Sequence, residues 1–311
     1  MRPTLASTLA IALAITLPLA WLSARTQDAE AAVGRPSASS GGATLVLDGE
    51  SVGNLRSVDG GAAVAEVVDE PAARGAAPKK HVTGVKYEDL SLEIDLGQGR
   101  PVYDWIGAAL RTAATPKNGS LVFLDFNRNP RETRDFQNAM ISQTTFPALD
   151  AASKEAGTLR FTLAVDRVSA GNGAAKASPA VATKSKNWLS SNFKVEIDGL
   201  ETTRVSRVEP IVVKHTPRLV FENLQITLAD TGADSWRRWQ DEFLGKGGDK
   251  HEKNGRIVFL GPSLKEELAE IRLEGLGLVA LRARSNDSGL PMLQAELYVE
   301  RLEFSTEPRA K

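Results

Sequence analysis

Cysteine is absent from this 311-residue chain. That excludes disulfides, thiolate metal sites and cysteine nucleophiles, and leaves the redox compartment open. Histidine is nearly absent too, with only His81, His215 and His251. None has a second ligand type at a metal-like spacing, so all three read as solvated or loop histidines. Neither sign of charge is in excess: 38 basic and 39 acidic side chains leave a net charge of -1. There is thus no global electrostatic case for binding nucleic acid or an anionic membrane. Short basic spots at Lys79-Lys80-His81 and Lys184-Ser185-Lys186 lack the interleaved aromatics of nucleic-acid readout. The chain has no Gly-x-Ser-x-Gly elbow, P-loop or dinucleotide fingerprint. The carboxylate pairs Glu88-Asp89 and Glu266-Glu267 point to opposite faces of a strand and so form no acid–base couple. No residue is therefore assigned a catalytic, cofactor-binding or metal-binding role, and no cofactor or small-molecule substrate is expected.

What is present is a globular composition, with 42% hydrophobic and 25% charged residues, in a chain long enough for about two domains. The 18 residues from Leu5 to Leu22 carry no charge and lie between Arg2 and Arg25. Residues 1–31 read as a signal peptide, with Ala29-Glu30-Ala31 as a small-x-small cleavage site, or as an uncleaved N-terminal anchor. The bland alternative is foreign coding sequence ahead of a cytoplasmic protein. Residues 32–42, the end of a small polar run from Thr26 to Gly42, read as a flexible tether.

Self-similarity organises the remainder. Leu45-Val46-Leu47-Asp48-Gly49 matches Val195-Glu196-Ile197-Asp198-Gly199, and Val58 matches Val208 at the same offset of 150. Tyr87-Glu88-Asp89-Leu90 matches Phe221-Glu222-Asn223-Leu224, and Trp105 matches Trp239. Lys117-Asn118-Gly119 matches Lys253-Asn254-Gly255, and Val165-Asp166-Arg167 matches Val299-Glu300-Arg301. Ordered landmarks of this kind mark a tandem duplication. Residues 43–168 form the first copy and 188–306 the second. The Gly-, Ala- and Ser-rich segment 169–187 is a linker by composition. The first copy carries about sixteen extra residues within Asp59–Lys86, by the difference in landmark spacing.

Within each copy, alternation predicts half-buried antiparallel strands, as at Phe193, Val195 and Ile197, or Leu90, Leu92 and Ile94. One amphipathic helix per copy follows. Val102, Trp105, Ile106 and Ala109 form its stripe in the first copy, with Asp104 in the first turn. In the second copy the helix spans Ser235 to Leu244, with Trp236, Trp239, Phe243 and Leu244 inward and Asp234 or Ser235 as cap. Helical spacing makes those tryptophans core rather than ligand-stacking groups. Each Asn-Gly predicts a tight turn, Leu121–Leu124 and Ile257–Leu260 read as buried strands, and the closing strands cover Leu159–Val168 and Leu293–Phe304. The fold class is mainly β (α+β): two tandem antiparallel β-barrels or sandwiches, each with one packed helix.

Phe193-Lys-Val-Glu-Ile-Asp-Gly-Leu200 with Val205-Ser-Arg-Val208 resembles the first hairpin of the tail tube proteins of contractile phages. Gly84–Leu90, Val102–Ile106, Lys117–Gly119 and Ala139–Asp150 resemble that family's following strand, helix start, turn and late strand. The resemblance implies a structural protein that self-associates into six-fold rings or a tube, beside other tail tube, baseplate or sheath-type partners. Nucleic acid would be passing cargo at most. Two copies in one chain imply a trimer acting as a pseudo-hexamer, in the tube itself or in a baseplate adaptor. The extra segment would then be a hairpin or loop reaching a neighbour, with arms Ala63–Val68 and Lys80–Val85 joined at Glu70–Gly75. The resemblance implies cytoplasmic assembly or a virion, whereas the apolar N-terminus implies export or anchoring. An exported or tethered binding module on the same fold is the competing reading.

Overall fold

The computed structural model describes residues 42–70, 79–97, 99–171, 188–245 and 247–306. The signal or anchor segment, the tether, the turn joining the inserted arms and most of the linker lie outside these residues.

The first repeat opens with β1 (Ala43–Leu47), β2 (Glu50–Gly60), β3 (Ala63–Glu70), β4 (Lys79–Tyr87), β5 (Leu90–Asp95) and α1 (Arg100–Leu110). It continues with β6 (Lys117–Leu124), β7 (Pro130–Phe146), β8 (Leu149–Asp150), β9 (Thr158–Ala164) and β10 (Arg167–Ala170). The second repeat opens with β11 (Phe193–Ile197), β12 (Val205–Val208), β13 (Ile211–Lys214), β14 (Val220–Phe221) and β15 (Leu224–Ala229). It ends with α2 (Asp234–Gly245), β16 (Lys253–Leu260), β17 (Glu267–Ser285) and β18 (Pro291–Ser305).

Antiparallel pairing runs β1–β2–β5–β9–β7–β6 and back to β1, which closes a six-stranded barrel. The second repeat has the same order, β11–β16–β17–β18–β15–β12, but its end strands β11 and β12 do not pair with each other among the described residues. The cause is local. Residues that form the start of β2 in the first repeat correspond to a loop, Leu200–Arg204, in the second. That loop is tied to α2, because Glu201 N–H donates to Ser235 Oγ at 2.9 Å and Trp236 Nε1 donates to the Glu201 carbonyl at 2.8 Å. The Ser235 hydroxyl therefore serves this loop.

The duplication holds to the level of register. In both repeats the long strand has a bulge at the same place, between Ile141 and Gln143 in β7 and between Leu278 and Ala280 in β17. The two Lys-Asn-Gly motifs also correspond, though not as turns: both lie inside strands β6 and β16. Asn118 Oδ1 accepts the Asn138 N–H at 2.9 Å, and Asn254 Oδ1 accepts the Gly275 N–H at 3.3 Å. Asn138 and Gly275 have φ of 53° and 63°. The positive φ thus falls on the facing strand, and each asparagine side chain bridges to it across the irregular pairing. The glycine answers to close approach instead. A Cβ at Gly119 would lie 2.5 Å from the Val46 carbonyl oxygen, and one at Gly255 2.6 Å from that of Glu196. The tight turn is made by Asp48-Gly49, where φ is 49° and 87°.

α1 buries Val102, Trp105, Ile106 and Ala109, but it starts at Arg100 after a left-handed Gly99, so Asp104 falls in the second turn. α2 buries Trp236, Trp239 and Phe243, whereas Leu244 is 61% exposed. One residue is about 100° of helix, which turns Leu244 away from the face that carries Phe243. The inserted segment of the first repeat lengthens the hairpin of β3 and β4, paired from Ala63↔Tyr87 to Glu70↔Lys79 as a separate two-stranded sheet. β10 carries the ladder through Ser169 and Ala170, opposite Asp135 and Arg134, where composition had placed the start of the linker.

Candidate assembly interface

The second repeat inserts its short hairpin into the sheet of the first. β13 pairs with the end of β7, with Ile211 opposite Phe146, Val213 opposite Thr144 and Lys214 opposite Gln143. Beside it β12 pairs with β8, placing Arg207 opposite Asp150 and Val208 opposite Leu149. The Arg207 guanidinium binds Asp150 at 2.8 Å and Glu209 at 2.6 Å. Hydrogen bonds to Glu209, followed by those to Asp150, hold the Arg207 pKa above its ordinary value.

Packing completes the seam. Tyr103 of α1 meets Phe304 of β18 edge-on at 5.5 Å between ring centroids, and Phe146 meets the same ring at 5.0 Å. Trp188 lies 6.3 Å from Tyr103 and 5.7 Å from Phe259. A Cβ at Gly107 would lie 3.4 Å from the Phe304 carbonyl oxygen, so a small residue lets α1 lie close to β18. Leu110 lines one cleft with Leu219 and Phe221 of the second repeat. Phe146, Ile211, Val213, Tyr103, Trp188 and Phe304 all belong to one continuous buried core that spans both repeats. Aromatic pairs add about 0.5–1.5 kcal/mol each beyond their buried area, so this seam is of core quality.

His215 follows β13 directly and is not solvated. Its N–H donates to the Ser142 carbonyl at 2.8 Å, and its Nε2 lies 3.0 Å from Thr144 Oγ1. Nδ1 is buried without a hydrogen-bond partner. Burial pushes the imidazole pKa below its ordinary value. His81 is exposed on β4, and the His251 carbonyl accepts the Trp239 indole N–H at 2.8 Å. The structure therefore brings none of the three histidines together.

The paired carboxylates have structural partners. Asp89 accepts from Ser142 Oγ at 3.1 Å, and Glu267 binds Arg256 at 3.0 Å. Arg256 also binds Glu196 at 2.5 Å and the buried Glu270 at 3.2 Å, and Arg272 binds Glu270 at 2.5 Å. A cleft of about 360 Å³ between α1 and the β17–β18 sheet is lined by Arg100, Arg111 and Arg272 and by Asp104, Glu270 and Glu303. Its charges balance. Among the described residues no group of three His, Cys, Asp or Glu could hold a metal ion.

Strand order, seam and register are those of a closed β-barrel that joins an open half-barrel of the same strand order through its sheet. Residues 44–169 match the family of the T4-like virus tail tube protein gp19. This stretch is similar to tail tube proteins. The tail tube match spans the whole closed barrel and ends inside β10. Among solved structures, similarity extends to a PVC extracellular contractile injection system sheath–tube complex, with 18% identity, 45% of this chain and 92% of that chain covered, and a TM-score of 0.38. The baseplate of the anti-feeding prophage gives 16% identity, 42% and 90% coverage and a TM-score of 0.37. Hcp1 from Flavobacterium johnsoniae gives 18%, 42% and 94%, and 0.30. Among curated proteins no match is found.

Sequence reasoning found the strands and helices of the seam but not the seam itself. Val212 and Thr145 pair across 67 positions, and nothing in either local pattern signals it. One available signal was Tyr103, an aromatic beside the Val102–Ala109 stripe, which packs on Trp188 and Phe304.

Proposed function

We propose that this protein is a structural subunit of a tail-tube-like assembly in a contractile injection-type system, built by joining tail tube repeats edge to edge into a ring. One observation carries the reading. The seam between the repeats is heterologous: the end of β7 and the outer face of α1 on the first repeat meet β13 and β18 on the second. Each repeat thus uses only one of its two sides, and a tandem repeat joined head to tail either closes into a ring or continues as a filament. The tail tube match of the first repeat favours closure at six repeats, which is three chains. The protein acts by shape and by self-association; no chemistry is assigned to it.

Sedimentation or light scattering of the full chain over a wide concentration range tests this. A species of about 100 kDa, three times the 33.3 kDa chain, is the expected result. A mass of one chain at every concentration would overturn it and favour an exported or tethered binding module, the reading that the apolar Leu5–Leu22 segment supports.

A further inference from the structure

The ring reading leaves the second contact, between chains, to be found, and the duplication locates it. We infer that the β3–β4 hairpin of one chain docks on the free edge of β17 in a second copy of this chain, reproducing the internal seam. This inference rests on the proposed ring.

The β3–β4 hairpin is the counterpart of β13–β14. Tyr87 matches Phe221 in sequence, and the pairs Ala63↔Tyr87 and Val213↔Phe221 are equivalent positions in the two hairpins. In the second repeat this hairpin is sandwiched, with β14 on one edge of β13 and β7 on the other. In the first repeat only the β4 edge of β3 is occupied. A lone two-stranded hairpin is marginal in water, and this one exposes Val67, Val68, Val82 and Val85 at 54%, 43%, 60% and 57%. An exposed strand edge of this sort invites another strand.

The receiving edge is just as clear. The shared bulge fixes Ala280–Ala283 of β17 as the counterpart of Gln143–Phe146, the segment of β7 that receives β13. β18 occupies one side of Ala280–Ala283, while the pairing of β16 stops at Leu276 and leaves the other side without a strand. The equivalence sets the register: Ala63 opposite Leu281, Val64 opposite Ala280 and Ala62 opposite Arg282. Gly60 and Gly61, at φ 84° and 77°, turn the chain just before β3, so the added strand begins at Ala62.

Packing agrees independently. Leu110, which shares a cleft with Leu219 and Phe221 in the internal seam, has Leu244 as its counterpart on α2. Leu244 is exposed at 61%. The counterparts of Leu219 and Phe221 are Val85 and Tyr87 on β4, and Val85 is also exposed. The two exposed aliphatics thus occupy the positions equivalent to Leu110 and Leu219, which share a cleft in the internal seam, and the docked hairpin brings them together.

The absence of cysteine makes the test direct. Full-length Ala63→Cys and Leu281→Cys chains are mixed and oxidised mildly, beside an off-register mixture of Ala63→Cys with Arg284→Cys. Val213→Cys with Thr144→Cys in one chain is the positive control for the internal seam. The expected result is an interchain disulfide dimer from the in-register mixture, at least tenfold faster than from the off-register one. Leu244→Glu, at a site exposed in the single chain, should weaken association at least tenfold and leave the thermal unfolding of the single chain unchanged. Rings of three chains that neither cross-link in register nor respond to Leu244→Glu would overturn this interface and leave the ring standing. Chains that never associate would overturn both.

Discussion

Phe146 is the residue on which the union of the two repeats depends most. It is fully buried, pairs with Ile211 across the seam and packs on Phe304 of the second repeat at 5.0 Å. Phe146→Ala removes a ring held by atoms of both repeats, and large-to-small changes of this kind cost about 3–5 kcal/mol when the site cannot collapse. β13 pairs with the backbone at this position and Phe304 of β18 packs on the ring, so collapse is restricted and the upper half of that range applies. Urea denaturation followed by tryptophan fluorescence is the assay, because Trp188 lies in the same cluster. Phe126→Ala, at a side chain 81% exposed, is the control and should stay within about 0.5 kcal/mol of the parent. The parent should unfold in one transition, since the core is continuous across the repeats. A loss below about 1 kcal/mol for Phe146→Ala, or two separate transitions in the parent, would refute the shared core.

Three further outcomes follow from the same geometry. Gly119→Ala places a Cβ 2.5 Å from the Val46 carbonyl oxygen and 2.3 Å from the Phe136 ring, so it should cost about 1–3 kcal/mol in thermal or urea melts, and Gly255→Ala should do the same in the second repeat. Arg256→Met leaves the buried Glu270 with Arg272 as its cation partner; removing one partner of a buried pair costs about 3–5 kcal/mol, and the lower end is expected here. The His215 pKa is depressed in the fold, so the unfolded chain takes up the proton first: the contribution of neutral His215 is complete above about pH 6.5, the unfolded value, and falls as pH drops below it. A stability profile measured from pH 8 to 5 should therefore slope downward through that window and flatten in His215→Gln.

What the sequence made legible follows from the range of the interactions. Tyr87 and Phe221, Trp105 and Trp239, and the Asp-Gly pairs recur because each repeat must rebuild the same barrel from the same local instructions. The helix stripes at Val102–Ala109 and Trp236–Phe243 read correctly because one face meets one core. Asn118-Gly119 misled because the same dipeptide serves a turn or a close strand approach, and only the facing Val46 carbonyl and Phe136 ring decide which. Leu244 misled because an apolar residue at the rim of a helix stripe is also what an intermolecular surface requires. The seam was illegible for a related reason: β13 could have paired within its own barrel, and its choice of β7 is set by a partner 67 positions away.

Negative-stain images of the full chain test the central claim most directly. The account predicts class averages of closed rings with six lobes around a central opening, single or stacked. Isolated two-lobed particles at every concentration, or open filaments with no closed ring, would contradict it.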